Sequence, residues 1–315
     1  MTNIQRTAIR PYIQIARADH WIKNVFVLPG IVVALSLQPM RLWSISVSHV
    51  LLGLLTTCII SSSNYVLNEV LDAPFDRAHP NKRSRAAARG EIRSSVAYVE
   101  WIVLMLVGIA LSLLISHSFA LANFGLWIAG CLYNIPPLRL KDILYLDVAF
   151  EAINNPLRML AGWYLTGTKG LPITSLLISY WAVGGYFMAV KRYAEIRDCG
   201  LQELQGYRPV FRHYTEQNLL VSVMFYACFG MLFLGMFIAR YRLELVLSFP
   251  LVAFVMCAYL ALAFQKQSPA QHPERLYRQP VLIIPAALCV AVVLALLFID
   301  VPLIYTTFPP SKLGL

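Results

Sequence analysis

Charge is what this sequence has least of. Only 13% of its 315 residues are Asp, Glu, Lys or Arg, against 58% hydrophobic. A soluble domain carries roughly 25% charge, so that class is excluded. The six cysteines (Cys58, Cys131, Cys199, Cys228, Cys257, Cys289) are scattered, mostly inside apolar runs. They show neither metal-site spacing nor a disulfide framework. Apolar–polar alternation is missing, which excludes a transmembrane β-barrel. The first 20 residues are basic and hold no signal-peptide core, so the N-terminus is expected to stay cytosolic, in part as a helix on the membrane surface. No linker or low-complexity stretch appears, and one domain, 1–315, is expected.

What the chain does have is continuous apolar runs near 20 residues. These predict an all-α polytopic membrane protein. About nine transmembrane helices are expected, at 24–40, 45–71, 95–116, 119–134, 144–166, 173–191, 218–238, 244–264 and 281–300. With the N-terminus inside, segments 1–23, 72–94, 135–143, 191–217 and 265–280 face the cytosol. They hold 20 of the 26 Lys and Arg, so the positive-inside rule supports that orientation in an inner or plasma membrane. The net charge of +10 then reflects topology, and no nucleic-acid partner is expected. The inner loops 72–94 and 191–217 are the largest, and are expected to be catalytic.

The densest charge follows the second span, in N64-YVLNEVLDAPFDRAHPNKRS-R85. Asn64, Asn68, Asp72 and Asp76 recur every four residues, which stacks them on one helix face. Pro74 disfavours the helical conformation at Ala73, so Asp72 and Asp76 are expected on either side of a bend. Two carboxylates with amide neighbours make a hard-oxygen site that suits Mg²⁺ carrying a diphosphate. Arg77, Lys82 and Arg83 can grip the remaining phosphate oxygens. A solvated loop of ion pairs, each worth under about 1 kcal/mol, is the plainer alternative.

The segment N68-E-V-L-D72-A-P-F-D76 resembles the N-D-x-x-D-x-x-x-D signature of the UbiA superfamily of intramembrane prenyltransferases. Y133-N-I-P-P-L-R139-L-K141 is similar to that superfamily's motif after span 4. The resemblance covers nearly the whole chain. It implies a UbiA-like bundle with the active site at its cytosolic face. Ordinary members carry a second D-x-x-x-D after span 6; here K191-R-Y-A-E195 stands in that place. A lysine cannot ligate Mg²⁺ but can bind phosphate. With W21-I-K-N24 and D76-R-A-H-P-N-K-R83, this combination resembles the decaprenyl-phosphate phosphoribosyltransferase branch. Two features depart from that branch: Glu69 replaces the usual Asp, and the loop reads R-S-R-A-A-A-R-G.

The branch implies transfer of 5-phosphoribose from 5-phosphoribosyl 1-diphosphate (PRPP) to a polyprenyl phosphate of decaprenyl type, releasing pyrophosphate. The product would feed arabinose donors for cell-wall arabinan or nodulation factors. Mg²⁺ is implied on Asn68, Asp72 and Asp76. Asp72, Asp76 and Lys191 are the expected catalytic residues. Lys23, Asn68, Glu69, Arg77, Lys82, Arg83, Arg139, Lys141, Arg158, Arg192, Tyr193 and Glu195 are expected at the substrates, Tyr193 and Glu195 on sugar hydroxyls. Duller roles exist for several. Lys23 beside Trp21 suits an interfacial anchor, and Arg139 and Lys141 suit topology charges. Arg158 suits a pairing with Glu151 two turns away, and His79 beside Pro80 suits a turn. The runner-up function is ordinary prenyl transfer from a diphosphate to an aromatic acceptor. A transporter is a third, disfavoured because charges cluster at the inner ends of spans and not at mid-depth. Asp72→Ala and Asp76→Ala are expected to abolish activity without loss of folding.

Overall fold

The computed structural model describes residues 9–39, 45–77, 82–200, 204, 208–271, 276 and 278–308. His79 and Pro80, and the flanking charges Arg41 and Lys312, lie outside them. The described residues contain helices and no strand. They form two compact units, Met1–Gly170 with Gln202–His213, and Leu171–Leu201 with Tyr214–Leu315.

The first unit contains α1 (Ile9–Ile15), a 3₁₀ segment (Ala18–Val27), α2 (Leu28–Leu37), α3 (Val47–Asp76), α4 (Ser94–Ile115), α5 (His117–Asn134) and α6 (Leu146–Leu165). At 30 residues, α3 is roughly 45 Å long. Its middle is rich in small hydroxylated residues, and Thr56, Thr57, Ser61, Ser62 and Ser63 are all buried. Small residues let helices approach closely, and hydroxyls find partners there. Trp21 Nε1 donates to Ser62 Oγ (2.8 Å), Ser63 Oγ to the Trp101 carbonyl (2.8 Å), and Asn64 Nδ2 to the Leu126 carbonyl (2.9 Å). Glycines set a second close approach. A Cβ on Gly162 of α6 would meet the Val27 carbonyl oxygen at 1.9 Å, and one on Gly30 of α2 would meet the Met159 oxygen at 2.0 Å. Backbone touches backbone where the 3₁₀ segment and α2 pass α6.

The expected bend at Pro74 does not occur: α3 runs through it to Asp76. The missing N–H of Pro74 forfeits a single intrahelical bond, the one to the Val70 carbonyl, and only two residues of the helix follow it. The last turn is closed by the Arg77 N–H on the Ala73 carbonyl (3.3 Å). Asn68, Asp72 and Asp76 therefore share one face of a continuous helix, rising about 6 Å from one to the next.

The second unit contains α7 (Thr174–Cys199), α8 (Glu216–Tyr241), α9 (Phe249–Ala263), α10 (Pro280–Phe298) and α11 (Pro302–Thr307). Gly185 of α7 packs under the Tyr226 ring of α8, and Ser179 Oγ donates to the Gly230 carbonyl (2.9 Å). A capping box of Thr215 and Asn218 starts α8. Arg242 caps the end of α10 through the Leu296 (3.0 Å) and Ile299 (3.2 Å) carbonyls. Residues 191–199, expected in a loop, are the last turns of α7, which ends at Gly200 with φ 76°. The hydrophobic run stops at 191, but backbone hydrogen bonding does not need apolar side chains and continues.

Helices occupy all nine places expected for spans. Among the described residues, six segments are long and apolar enough to cross a membrane: Ile9–Leu37, Val47–Asp76, Ser94–Ile115, Glu216–Tyr241, Leu243–Ala263 and Pro280–Phe298. Of the other three, α6 carries Asp147, Glu151 and Arg158, and α7 carries five charges in its last nine residues.

Candidate functional site

The cytosol-predicted end of α3 gathers the charges of the first unit. Asp72 Oδ1 accepts from Arg139 Nη2 (2.8 Å) and from Lys141 Nζ. Both cations come from the turn after α5, where Arg139 takes a left-handed conformation with φ 31°. That conformation costs about 1–3 kcal/mol for a non-glycine residue and persists when the surroundings over-determine it. Here they do: Arg139 also donates to Asp142 Oδ2 (2.6 Å) and lies 4.8 Å over the Phe75 ring. Lys141 is 4% exposed and donates to Asn134 Oδ1 (2.8 Å). Burial pulls its ammonium down to about 8, against the opposing pull of Asp72.

Asp76 is buried and paired with Arg85 (2.7 Å). Glu69 is buried and accepts from the Ala87 backbone N–H, with Arg85 and Arg17 acting on it electrostatically. Residues 85–88 thus lie against the end of α3: Ala86, Ala87 and Ala88 are buried, and Arg77 Nε donates to the Ala88 carbonyl (3.2 Å). Asn68 and Lys82 are half-buried, and Arg83 is exposed.

A second polar cluster lies deeper. Arg158 is buried and donates through Nε to Asn24 Oδ1 (2.8 Å). Asn24 Oδ1 also accepts from Ser61 Oγ (3.1 Å), and its Nδ2 meets Cys58 Sγ (3.1 Å). Glu151 accepts from Tyr133 Oη (3.0 Å), which in turn accepts from Arg208 (2.9 Å). Lys23 lies 6.0 Å over the Tyr65 ring.

In the second unit, Lys191 is half-buried and has no hydrogen bond or ion pair to a described residue. Arg192 is buried and pairs with Glu195 (3.0 Å). Tyr193 is buried, with its ring edge-on to Phe264 at 5.4 Å.

Among the sequence-predicted residues, the structure brings Asp72, Arg139 and Lys141 together, and Lys23 to Tyr65. It leaves Arg83 on the surface. Lys191, Arg192, Tyr193 and Glu195 form their own group on α7. Arg85, Asn134 and Asn24 carry contacts that sequence reasoning did not single out. Arg85 gave a signal, since it lies in the charge-dense stretch, but nothing in sequence pairs it with Asp76.

Among the described residues, no group of three or more His, Cys, Asp or Glu is placed to hold a metal. Hard cations are also held by two carboxylates, an amide and substrate oxygens. Asn68, Asp72 and Asp76 supply that donor set from one helix face. Arg139, Lys141 and Arg85 occupy one oxygen of each carboxylate, and the other makes no hydrogen bond to a described residue. The donors fit Mg²⁺.

An uncharacterized protein of Sinorhizobium fredii is 28% identical over 207 residues, 64% of this chain and 38% of that protein. The decaprenyl-phosphate phosphoribosyltransferase of Corynebacterium glutamicum is 31% identical over 229 residues, 69% of this chain and 66% of that enzyme. The chain thus spans two thirds or less of the length of both relatives. The solved structure of a UbiA homolog from Archaeoglobus fulgidus, bound to DMAPP and Mg²⁺, superposes with a TM-score of 0.69 at 21% identity. It covers 92% of this chain and 99% of its own, and shows a shared fold. The model of the UbiA prenyltransferase family matches residues 25–284, and this integral membrane chain belongs to that family.

Proposed function

We propose that this protein is a Mg²⁺-dependent transferase that moves 5-phosphoribose from PRPP to a polyprenyl phosphate of decaprenyl type, releasing pyrophosphate. The observation that carries the reading is Lys191, which stands where a carboxylate for a second metal would be and has no ion pair to a described residue. The corynebacterial relative bears the name of this activity. A phosphate oxygen of the lipid attacks the anomeric carbon of the ribose. The bond from that carbon to the diphosphate breaks, and pyrophosphate leaves with the bonding pair. The attacking group is already an anion, so no general base is needed.

Asn68, Asp72 and Asp76 would hold Mg²⁺, which neutralises charge on the departing pyrophosphate. Arg139, Lys141, Arg77, Lys82 and Arg83 are cations for phosphate oxygens near α3; Lys23, Arg158, Lys191 and Arg192 are further phosphate ligands. A cation beside a phosphate offsets its charge and lowers the cost of bringing a second anion near it. Glu69 bears on the site by ordering the first loop through Ala87 and Arg85. Tyr193 and Glu195 are the residues assigned to sugar hydroxyls. Nine crossings, a cytosolic N-terminus and a cytosolic site in a single domain complete the proposal. The product would enter an arabinose-donor pathway.

Two assays on purified protein separate this reading from ordinary prenyl transfer. One supplies PRPP and a polyprenyl phosphate; the other supplies a prenyl diphosphate and 4-hydroxybenzoate. Product is expected in the first, and turnover confined to the second ends the proposal.

A further inference from the structure

His20 has a hydrogen-bonding state that its neighbours dictate. Its Nε2 lies 2.5 Å from Arg17 Nη2. A guanidinium carries only donors, so Nε2 must accept, and the neutral ring then bears its proton on Nδ1. Asp19 Oδ2 is 3.5 Å from the same Nε2, but its side chain is 69% exposed and at a distance where hydrogen bonding is weak. Nδ1 is sheltered from solvent and has no acceptor among the described residues. A buried donor left without a partner is destabilising, which calls for an explanation.

The surroundings say what acceptor would suit it. The ring stands edge-on to Tyr65 at 5.3 Å, and Lys23 lies 6.0 Å over the same tyrosine. Arg17, held left-handed with φ 50° and ψ 54°, also interacts with Glu69 and Arg85. Arg85 in turn pairs with Asp76. One turn of α3 separates Tyr65 from Glu69. An orphaned N–H among Arg17, Lys23 and Arg85 suits an oxyanion, and a sheltered donor binds a charged acceptor more strongly than a wet one.

We propose that His20 donates through Nδ1–H to a phosphate oxygen of a bound substrate, and that Arg17 is the positioning residue that keeps the ring in this tautomer. The proposal rests on reading the α3 acids as the diphosphate end of the site, not on PRPP as the donor.

The experiment uses full-length protein in nanodiscs with ¹⁵N-labelled histidine, the His20 signals being assigned by their loss in His20→Asn. Wild type is expected to show an Nδ1-protonated neutral ring, and Arg17→Met to redistribute the proton between the nitrogens. Pyrophosphate with Mg²⁺, ribose 5-phosphate and farnesyl phosphate are then titrated separately. The anion that moves the His20 Nδ1 signal names the source of the phosphate. His20→Asn keeps a donor near the Nδ1 position and is expected to bind that anion within about 3-fold of wild type. His20→Gln keeps a group at the Nε2 position only and is expected to bind it roughly 10- to 100-fold more weakly.

An Nε2-protonated or cationic ring, no response to any of the three anions, or equal losses in the two variants overturns the proposal. Wild-type spectra decide it even where a variant folds poorly. Pyrophosphate leaves in phosphoribosyl and prenyl transfer alike. Indifference of His20 to all three anions while pyrophosphate still binds therefore counts against this inference alone, whereas failure of PRPP to bind while pyrophosphate binds counts against the choice of donor alone.

Discussion

Asp72→Ala removes a proposed metal ligand and strands a buried cation. In the folded protein Asp72 is the counter-charge of Lys141, which is 4% exposed and retains only the Asn134 amide oxygen once the carboxylate is gone. Breaking a buried pair from one side costs about 3–5 kcal/mol. The low end applies here, because the second cation, Arg139, keeps Asp142 at 2.6 Å and the face of Phe75. A loss of about 3 kcal/mol is therefore expected in denaturant or thermal unfolding, with pyrophosphate release reduced by at least about 100-fold. Asp72→Ala combined with Lys141→Met should recover most of the stability and none of the activity.

The loss has a pH signature. Lys141 titrates at about 8 with Asp72 in place, against roughly 10.4 in an unfolded chain. Asp72 is the influence that raises it, so the variant's lysine releases its proton at lower pH. The unfolded chain then holds more protons than the folded one, and stability rises with pH across that interval. The gap between variant and wild type should narrow as pH climbs toward about 8 and stay constant above it. A variant as stable as wild type at pH 7, or a double variant no more stable than the single, would falsify the assignment of Asp72 as partner of Lys141.

Chelation should abolish turnover and added Mg²⁺ restore it, followed by pyrophosphate release; undiminished catalysis in chelator removes the metal from the proposal. Lys191→Asp should lower kcat/KM for PRPP by at least roughly 100-fold, with the unfolding midpoint little changed because Lys191 has no ion pair to a described residue. Full turnover in that variant rejects the phosphate role. Gly162→Ala should destabilise by about 1–3 kcal/mol, since the new methyl would lie 1.9 Å from the Val27 carbonyl oxygen. An unaltered unfolding midpoint would show that α6 and the segment before α2 are not in backbone contact.

Sequence by itself determined the solvent class, the places of the helices and the spacing that puts Asn68, Asp72 and Asp76 on one helix face. Those properties are local: an apolar run near 20 residues needs no partner to declare itself, and a four-residue spacing declares one helix face wherever the helix lies. Tertiary structure decided which charges meet. Arg139 and Lys141 reach Asp72 across 67 and 69 residues, and Arg158 reaches Asn24 across 134. It also decided that α3 continues through Pro74, where a local rule predicts a bend, and that Lys191 belongs to a helix and not a loop. The physical reason is range. Backbone preference and hydropathy act over a few residues, while charge pairing is selected by helix packing, and that packing is set here by glycines that let one backbone touch another.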